Sequence, residues 1–135
     1  MFKAAGRAGG NGEGRCTKAI GDEAESLALA HLQRQGLVLV QRNYRVALGP
    51  RARGAEVDLI LRERDGTLVF VEVRSRAGAG HGGALASVGA TKQRRIIRAA
   101  QHYLLRLPML PPCRFDVVAV QGDQLEWVKA AFDAR

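Results

Sequence analysis

Two carboxylates lie within consecutive runs of strand-forming apolar residues. Asp58 belongs to the segment Glu-Val-Asp-Leu-Ile that begins at Glu56, and Glu72 belongs to Leu-Val-Phe-Val-Glu-Val-Arg, which ends at Arg74. The dipeptide Asp65-Gly66 between them is typical of a two-residue hairpin turn. The two segments are therefore predicted to be antiparallel neighbours in one sheet, with both acids in the same region.

The alternation of a strand with period two predicts which side chains share a face with these acids. Glu56 lies on the face of Asp58, and Arg74 lies on the face of Glu72. Burying a carboxylate without a partner is costly. The acids therefore form either an ion-paired structural cluster with Arg74 or a metal site, and hard oxygen ligands favour Mg²⁺ or Mn²⁺. Six apolar residues are predicted on the opposite faces: Val57, Leu59 and Leu61, and Val69, Val71 and Val73.

Composition bounds the class of protein. The 135 residues are 47% hydrophobic and 25% charged, which fits one soluble domain over residues 17–135. Residues 1–16 are rich in glycine without periodicity and are predicted to be a disordered arm. Cys16 and Cys113 lack the spacing of a zinc site or a disulfide framework. Without a signal-like or membrane-spanning run, we expect a cytoplasmic protein with no membrane partner.

The positive charge is concentrated in one part of the chain. The net charge is +8, and the stretch between Val73 and Phe115 contains eight basic residues and no acid. Such a field suits a polyanion, because neutralised phosphates release counterions. Charge alone leaves a solvated basic face equally open. If the partner is nucleic acid, we expect four of these residues to contact it, namely Arg76, Arg94, Arg95 and Arg98.

Periodicity and turn residues predict the order α-β-β-β-α-β-β, in which a mixed central sheet is flanked by helices. A Gly/Ala-rich loop follows the Glu72 strand. The chain lacks the interleaved aromatic residues that stack single-stranded bases, so contacts to nucleic acid are expected at the backbone. The remaining predicted elements are a helix over 18–35, a strand over 37–45, a helix over 91–107 and strands over 114–120 and 124–128.

Six short segments form a combined pattern along the chain. They are Gly21-x-x-Ala24-Glu25-x-x-Ala28, Arg42-Asn43-Tyr44-Arg45, Glu56-Val57-Asp58-Leu59-Ile60, Val69-Phe70-Val71-Glu72-Val73-Arg74, Lys92 and Arg114-Phe115-Asp116-Val117. Together they resemble the YraN-like bacterial family. That family is similar to Holliday-junction resolvases within the PD-(D/E)xK nuclease superfamily.

The resemblance implies a restriction-endonuclease-like fold and Mg²⁺- or Mn²⁺-dependent hydrolysis of phosphodiester bonds in DNA, including branched DNA. It assigns Asp58, Glu72 and Glu25 to metal binding, although the spacing of Glu25 alone favours a position at the surface. It also implies a homodimer. The strand over residues 125–128 is a candidate for pairing across the two-fold axis.

One residue departs from the nuclease pattern. Arg74 stands where the pattern has a lysine, and arginine does not act as a general base because its pKa exceeds 12. Lys92, from the second predicted helix, is a candidate replacement. Asp58, Glu72, Arg74 and Lys92 are therefore the predicted catalytic set. The alternative is a non-catalytic module of the same fold that binds nucleic acid or protein.

Overall fold

The computed structural model describes residues 17–50, 52–75 and 88–134. The predicted Gly-rich arm and most of the Gly/Ala-rich loop lie outside these ranges. Arg76, one of the predicted nucleic-acid contacts, also lies outside the described residues. None of the described helices is long and apolar enough to cross a membrane.

The described chain confirms the predicted order α-β-β-β-α-β-β. The five strands form one sheet in the order β1-β2-β3-β4-β5. Strands β3 and β4 are parallel, with the second helix in the connection between them, and the other neighbouring pairs are antiparallel. The elements are α1 (Thr17–Arg34), β1 (Val38–Val46), β2 (Ala55–Arg62), β3 (Leu68–Ser75), α2 (Ala90–Leu104), β4 (Cys113–Gln121) and β5 (Gln124–Phe132).

Each face of the sheet carries a hydrophobic core. On one face α1 buries Ala24, Ala28 and Leu32, which recur at the four-residue spacing that aligns side chains along a helix. On the other face α2 buries Ile96, Ala99, Ala100 and Tyr103 around Phe70. We refer to these as the α1 face and the α2 face. Ile20 and Leu27, two further apolar residues of α1, are exposed.

The hairpin between β2 and β3 forms where Asp65-Gly66 predicts it, but its loop is longer than two residues. The strands end at Arg62 and begin again at Leu68. The Asp65 side chain accepts a hydrogen bond from the Thr67 N–H at 2.9 Å, and Gly66 has a φ of 94°. Glycine tolerates this left-handed conformation, so the loop closes without strain.

The second helix ends earlier than predicted. Its last residue is Leu104 rather than Leu107, and the backbone N–H groups of Arg106 and Leu107 bond to carbonyls only three residues back. Pro108 disfavours the helical conformation of the residue before it. Leu107 nevertheless packs against the α2-face core from beyond the end of the helix.

Part-way along both β1 and β2, side chains two residues apart point to opposite faces of the sheet instead of the same face. Simple alternation with period two does not predict this shift. Val57 packs in the α2-face core, whereas Leu59 packs in the α1-face core. Their partners on β1 are Tyr44 and Arg42. Between these partners lies Asn43, whose φ of 52° is in the left-handed region that asparagine tolerates better than most residues. The prediction that Val57 shares a face with Leu59 and Leu61 is therefore wrong, and Asp58 lies at the crossover.

A fully hydrogen-bonded carboxylate links β4 to β5. Asp116 is fully buried and accepts hydrogen bonds from the Arg114 guanidinium, the Trp127 indole N–H and the Ala130 backbone N–H, each at 2.9 Å at the closest. Arg114 also pairs with Glu63. Because these donors satisfy Asp116, it is a structural residue of the sheet.

Candidate functional site

Asp58 lies where β2 separates from β3. Backbone pairing between these strands runs from Arg62 and Leu68 to Leu59 and Val71 and then stops. Beyond that point the Asp58 carboxylate accepts the Val73 N–H at 2.8 Å. A side-chain oxygen thus replaces a backbone carbonyl at the edge of the opening, and this hydrogen bond fixes the carboxylate next to β3.

Glu72 is the most deeply buried acid of the candidate site. It is only 2% exposed, and it lies on the α2 face with Phe70. Its Oε2 atom lies 3.5 Å from Arg74 Nη1 and 3.6 Å from Lys92 Nζ. Its Oε1 atom is buried and has no hydrogen-bond partner among the described residues. Oε2 therefore lies near two cations, whereas Oε1 has no N–H donor, and the Asp58 and Glu72 carboxyls are close enough to share a hydrogen bond when one of them is protonated.

Burial perturbs both carboxyl groups. The pKa of Asp58 is raised to about 7, first by burial and then by the negative charge of Glu72, while the Val73 N–H and Lys92 oppose the shift. Burial also raises the pKa of Glu72, against the positive charges of Lys92 and Arg74. Two like charges in a poorly solvated site disfavour simultaneous ionisation. The metal-free pair therefore shares a proton near neutral pH.

Glu25 lies beside this pair on the α1 face. Its side chain is 12% exposed, so the surface position favoured by its spacing is wrong. Burial and the charge of Asp58 raise the pKa of Glu25, and Arg42 and Asn43 oppose that shift. Arg42 Nη2 lies 3.6 Å from Glu25 Oε1. Among the described residues, no three His, Cys, Asp or Glu side chains converge as a ready-made metal centre.

The donor set nevertheless fits Mg²⁺ or Mn²⁺. Magnesium retains several waters and is commonly held by only one or two carboxylates together with substrate phosphates. Asp58 and Glu72 supply such a pair of hard oxygen ligands. Glu72 Oε1 accepts no N–H hydrogen bond among the described residues and is therefore free to coordinate a cation. Glu25 would join them only after a change in its contact with Arg42.

The predicted nucleic-acid contacts are in different environments. Arg94 and Arg98 are exposed on α2, whereas Arg95 is partly buried and donates to the Gly54 carbonyl at 3.0 Å. Arg95 therefore anchors α2 to the connection between β1 and β2 in addition to any contact with a ligand. Lys92 lies in the first turn of the same helix, but residues two apart on a helix do not share a face, so Lys92 reaches Glu72 from the side of α2 opposite the exposed Arg94.

Comparison with known proteins identifies the relatives of this chain. The model of the uncharacterised protein family UPF0102 matches residues 24–120. The chain belongs to the UPF0102 family. It is 65% identical over 118 residues to a UPF0102 protein of Methylibium petroleiphilum, covering 87% of this chain and 97% of the relative. A UPF0102 protein of Acidovorax sp. is 60% identical over 125 residues, with 93% and 92% covered.

The family assignment confirms the resemblance to the YraN-like family. The matched region of this UPF0102 protein includes Glu25, Asp58, Glu72 and Lys92. It also includes Arg42, a neighbour of the site to which the sequence assigned no role. The segment Arg42-Asn43-Tyr44-Arg45 contained a signal for it, because an asparagine inside a predicted strand is a candidate for a left-handed residue that reorients its neighbours.

The proton held by Asp58 predicts a pH dependence of stability. A carboxyl whose pKa is 3.8 when unfolded and about 7 when folded destabilises the fold as the pH rises through that interval. In metal-free protein, we expect the free energy of unfolding of Asp58→Asn to rise relative to that of wild type as the pH increases. The gain between pH 4 and pH 8 should be about 2 to 4 kcal/mol. Urea unfolding across this pH range measures the difference.

Asp65→Asn is the matched control for this experiment. The Thr67 backbone N–H lowers the pKa of the exposed Asp65 carboxyl, so its contribution has the opposite sign and is lost as the pH falls. Parallel stability profiles for wild type and Asp58→Asn would show that Asp58 does not hold the proton.

Proposed function

We propose that this UPF0102 protein is a Mg²⁺- or Mn²⁺-dependent endonuclease that hydrolyses phosphodiester bonds in DNA. Its fold is of the restriction-endonuclease-like type, and branched DNA is a candidate substrate. The supporting observation is the buried pair of Asp58 and Glu72, whose carboxyls share a proton near neutral pH and in which Glu72 Oε1 has no N–H donor among the described residues. A divalent cation would displace that proton and compensate the charge of both carboxylates.

The metal would supply charge stabilisation at the phosphate and an activated water. Asp58 and Glu72 would hold it, with Glu25 as a third ligand. The protein's own contribution is preorganisation, because the Val73 N–H fixes Asp58 and the surrounding strands bury Glu72 before any ligand arrives. Neither carboxylate has to be desolvated at the moment of reaction.

Lys92 supports the proposal because it supplies the amine that position 74 lacks. Its Nζ contacts the same Glu72 oxygen as the Arg74 guanidinium, although it comes from a different element. A lysine in this position can orient a water or contact a non-bridging phosphate oxygen. Arg74, with its planar fork of donors, is suited to holding the phosphate.

The exposed arginines of α2 provide a surface for the DNA backbone near this site, while Lys92 of the same helix reaches the carboxylates. Lys92 in the first turn and the exposed Arg94 and Arg98 lie on one helix, and its first turn contains no acidic residue. Contacts of this kind bind phosphates and carry no sequence information. We therefore propose recognition of DNA backbone and shape.

Loss of either carboxylate is predicted to abolish cleavage. We expect wild type to cleave at least one of labelled duplex, single-stranded, flap or four-way DNA with Mg²⁺ or Mn²⁺. Asp58→Asn and Glu72→Gln should each reduce the rate by about 100-fold or more, because each removes a ligand charge. Glu56→Gln is the matched control, since Glu56 forms an exposed ion pair with Arg45. Cleavage that survives both site substitutions would contradict the proposal.

A non-catalytic nucleic-acid-binding or protein-interaction module is the second candidate. The observation that favours it is the contact of both Arg74 and Lys92 with Glu72, which makes the acids resemble an ion-paired structural cluster. In that case wild type would bind nucleic acid or a protein without cleaving DNA, and metal-dependent cleavage would emerge only in Arg74→Lys.

Lys92 is predicted to matter more for turnover than its neighbours on α2. Lys92→Met should reduce the cleavage rate at saturating DNA by about 100-fold, because the charged group is lost beside Glu72. Arg94→Met, which removes an exposed charge two residues away, should weaken DNA binding with little change in that rate. Single-turnover assays separate the two effects. Equal effects of both substitutions on binding alone would remove Lys92 from the catalytic set.

A further inference from the structure

Glu25 and Arg42 form an ion pair that is incompletely satisfied. The closest approach, 3.6 Å from Arg42 Nη2 to Glu25 Oε1, is longer than a normal hydrogen bond. Glu25 Oε1 and Arg42 Nε are also both shielded from solvent, and neither has a hydrogen-bond partner among the described residues. Buried polar atoms are normally paired, so a donor and an acceptor left unpaired side by side require an explanation.

The location of this pair connects it to the carboxylate site. Asn43 follows Arg42 and lies between the two residues whose β2 partners flank Asp58. Burial and then the Asp58 charge raise the pKa of Glu25, so the two acids lie within electrostatic range of each other. Lys92 and Arg74 approach Glu72 on the α2 face, whereas Arg42 approaches Glu25 on the α1 face. The site therefore has a cation on each side of the sheet.

We propose that Arg42 exchanges partners when substrate binds. In the free protein Arg42 neutralises Glu25; when a divalent cation takes Glu25, the Arg42 guanidinium transfers to a phosphate of the bound DNA strand. This inference rests on the proposed function, because it assumes that Glu25 turns toward the cation. It assigns Arg42 as a phosphate-binding residue on the side of the site opposite Lys92.

The geometry favours exchange over a permanent ion pair. The Glu25–Arg42 contact is long, at 3.6 Å, and Arg42 Nε has no hydrogen-bond partner among the described residues, so the arginine is held loosely in the ion pair. The Arg42 side chain is 34% exposed, so a ligand can approach it from solvent although its Nε atom is shielded. A guanidinium also presents two parallel donors to a phosphate, which compensates the broken contact. A permanent structural pair would instead be expected to satisfy Nε and Oε1.

Arg42→Gln tests the exchange because it removes the charge and keeps a donor near Glu25. We expect the free variant to bind Mn²⁺ about 3 to 10 times more tightly than wild type, since Glu25 no longer has a cationic competitor. With Ca²⁺ present, the variant should bind duplex and four-way DNA about 10 times more weakly than wild type. The slope of log affinity against log salt concentration should also decrease by about 1, which corresponds to one lost phosphate contact. Without divalent cations, DNA affinity should stay within about two-fold.

Arg45→Gln is the matched control, because Arg45 is an exposed arginine on the same strand that pairs with Glu56. It should leave Mn²⁺ affinity unchanged and should not show a DNA effect that depends on the cation. Arg42→Lys, a second variant, preserves the charge and should restore wild-type Mn²⁺ affinity. Thermal unfolding of every variant identifies any that fail to fold.

A purely structural Arg42 would give a different result. Arg42→Gln would then weaken Mn²⁺ binding and DNA binding together, or weaken DNA binding equally with and without divalent cation, and either outcome would overturn the inference. Both readouts are binding equilibria. If wild type binds Mn²⁺ and DNA without cleaving any substrate, the proposed hydrolysis fails while the exchange of Arg42 is still decided by the affinities.

Discussion

The hydrogen bond from the Val73 N–H to Asp58 is the interaction on which the rest of the site depends. It forms where backbone pairing between β2 and β3 ends, so a carboxylate occupies the position that a strand carbonyl would otherwise take. This contact satisfies the Val73 N–H and at the same time fixes Asp58 beside Glu72. Without it, the opening between the strands would leave a donor unpaired and an acid free to turn toward solvent.

The price of this arrangement is the burial of like charges. Asp58 and Glu72 have raised pKa values because the sheet and the two helices exclude water from both carboxyls. Lys92 offsets part of that cost for both acids, and Arg74 offsets part of it for Glu72, yet Glu72 Oε1 has no partner among the described residues. Asp116 shows the contrast within the same sheet, because its donors satisfy a carboxylate that is buried even more completely. The difference supports the proposal that the first pair binds a ligand, whereas the donors around Asp116 make it a structural residue.

Sequence patterns predicted the element order, the hairpin at Asp65-Gly66 and the proximity of the two strand acids, because apolar runs and turn residues act locally. They did not predict the change of faces at Asn43, because alternation with period two assumes an extended backbone at every residue and Asn43 has a positive φ. For the same reason β5 was predicted to end at residue 128, whereas it continues to Phe132. Ala130 has a φ of 52° and interrupts the alternation, and its backbone N–H donates to Asp116. The burial of Glu25 depends on how α1 packs on the sheet, so spacing along the helix could not reveal it.

The most direct test of the site is the stoichiometry of proton release on metal binding. Titration calorimetry of Mn²⁺ into metal-free protein at pH 6, in two buffers of different ionisation enthalpy, counts the protons. We predict one bound Mn²⁺ that displaces about one proton from wild type and none from Asp58→Asn, which should also bind the ion more weakly. Binding that releases no proton, or that Asp58→Asn leaves unchanged, would contradict a cation site built on Asp58 and Glu72.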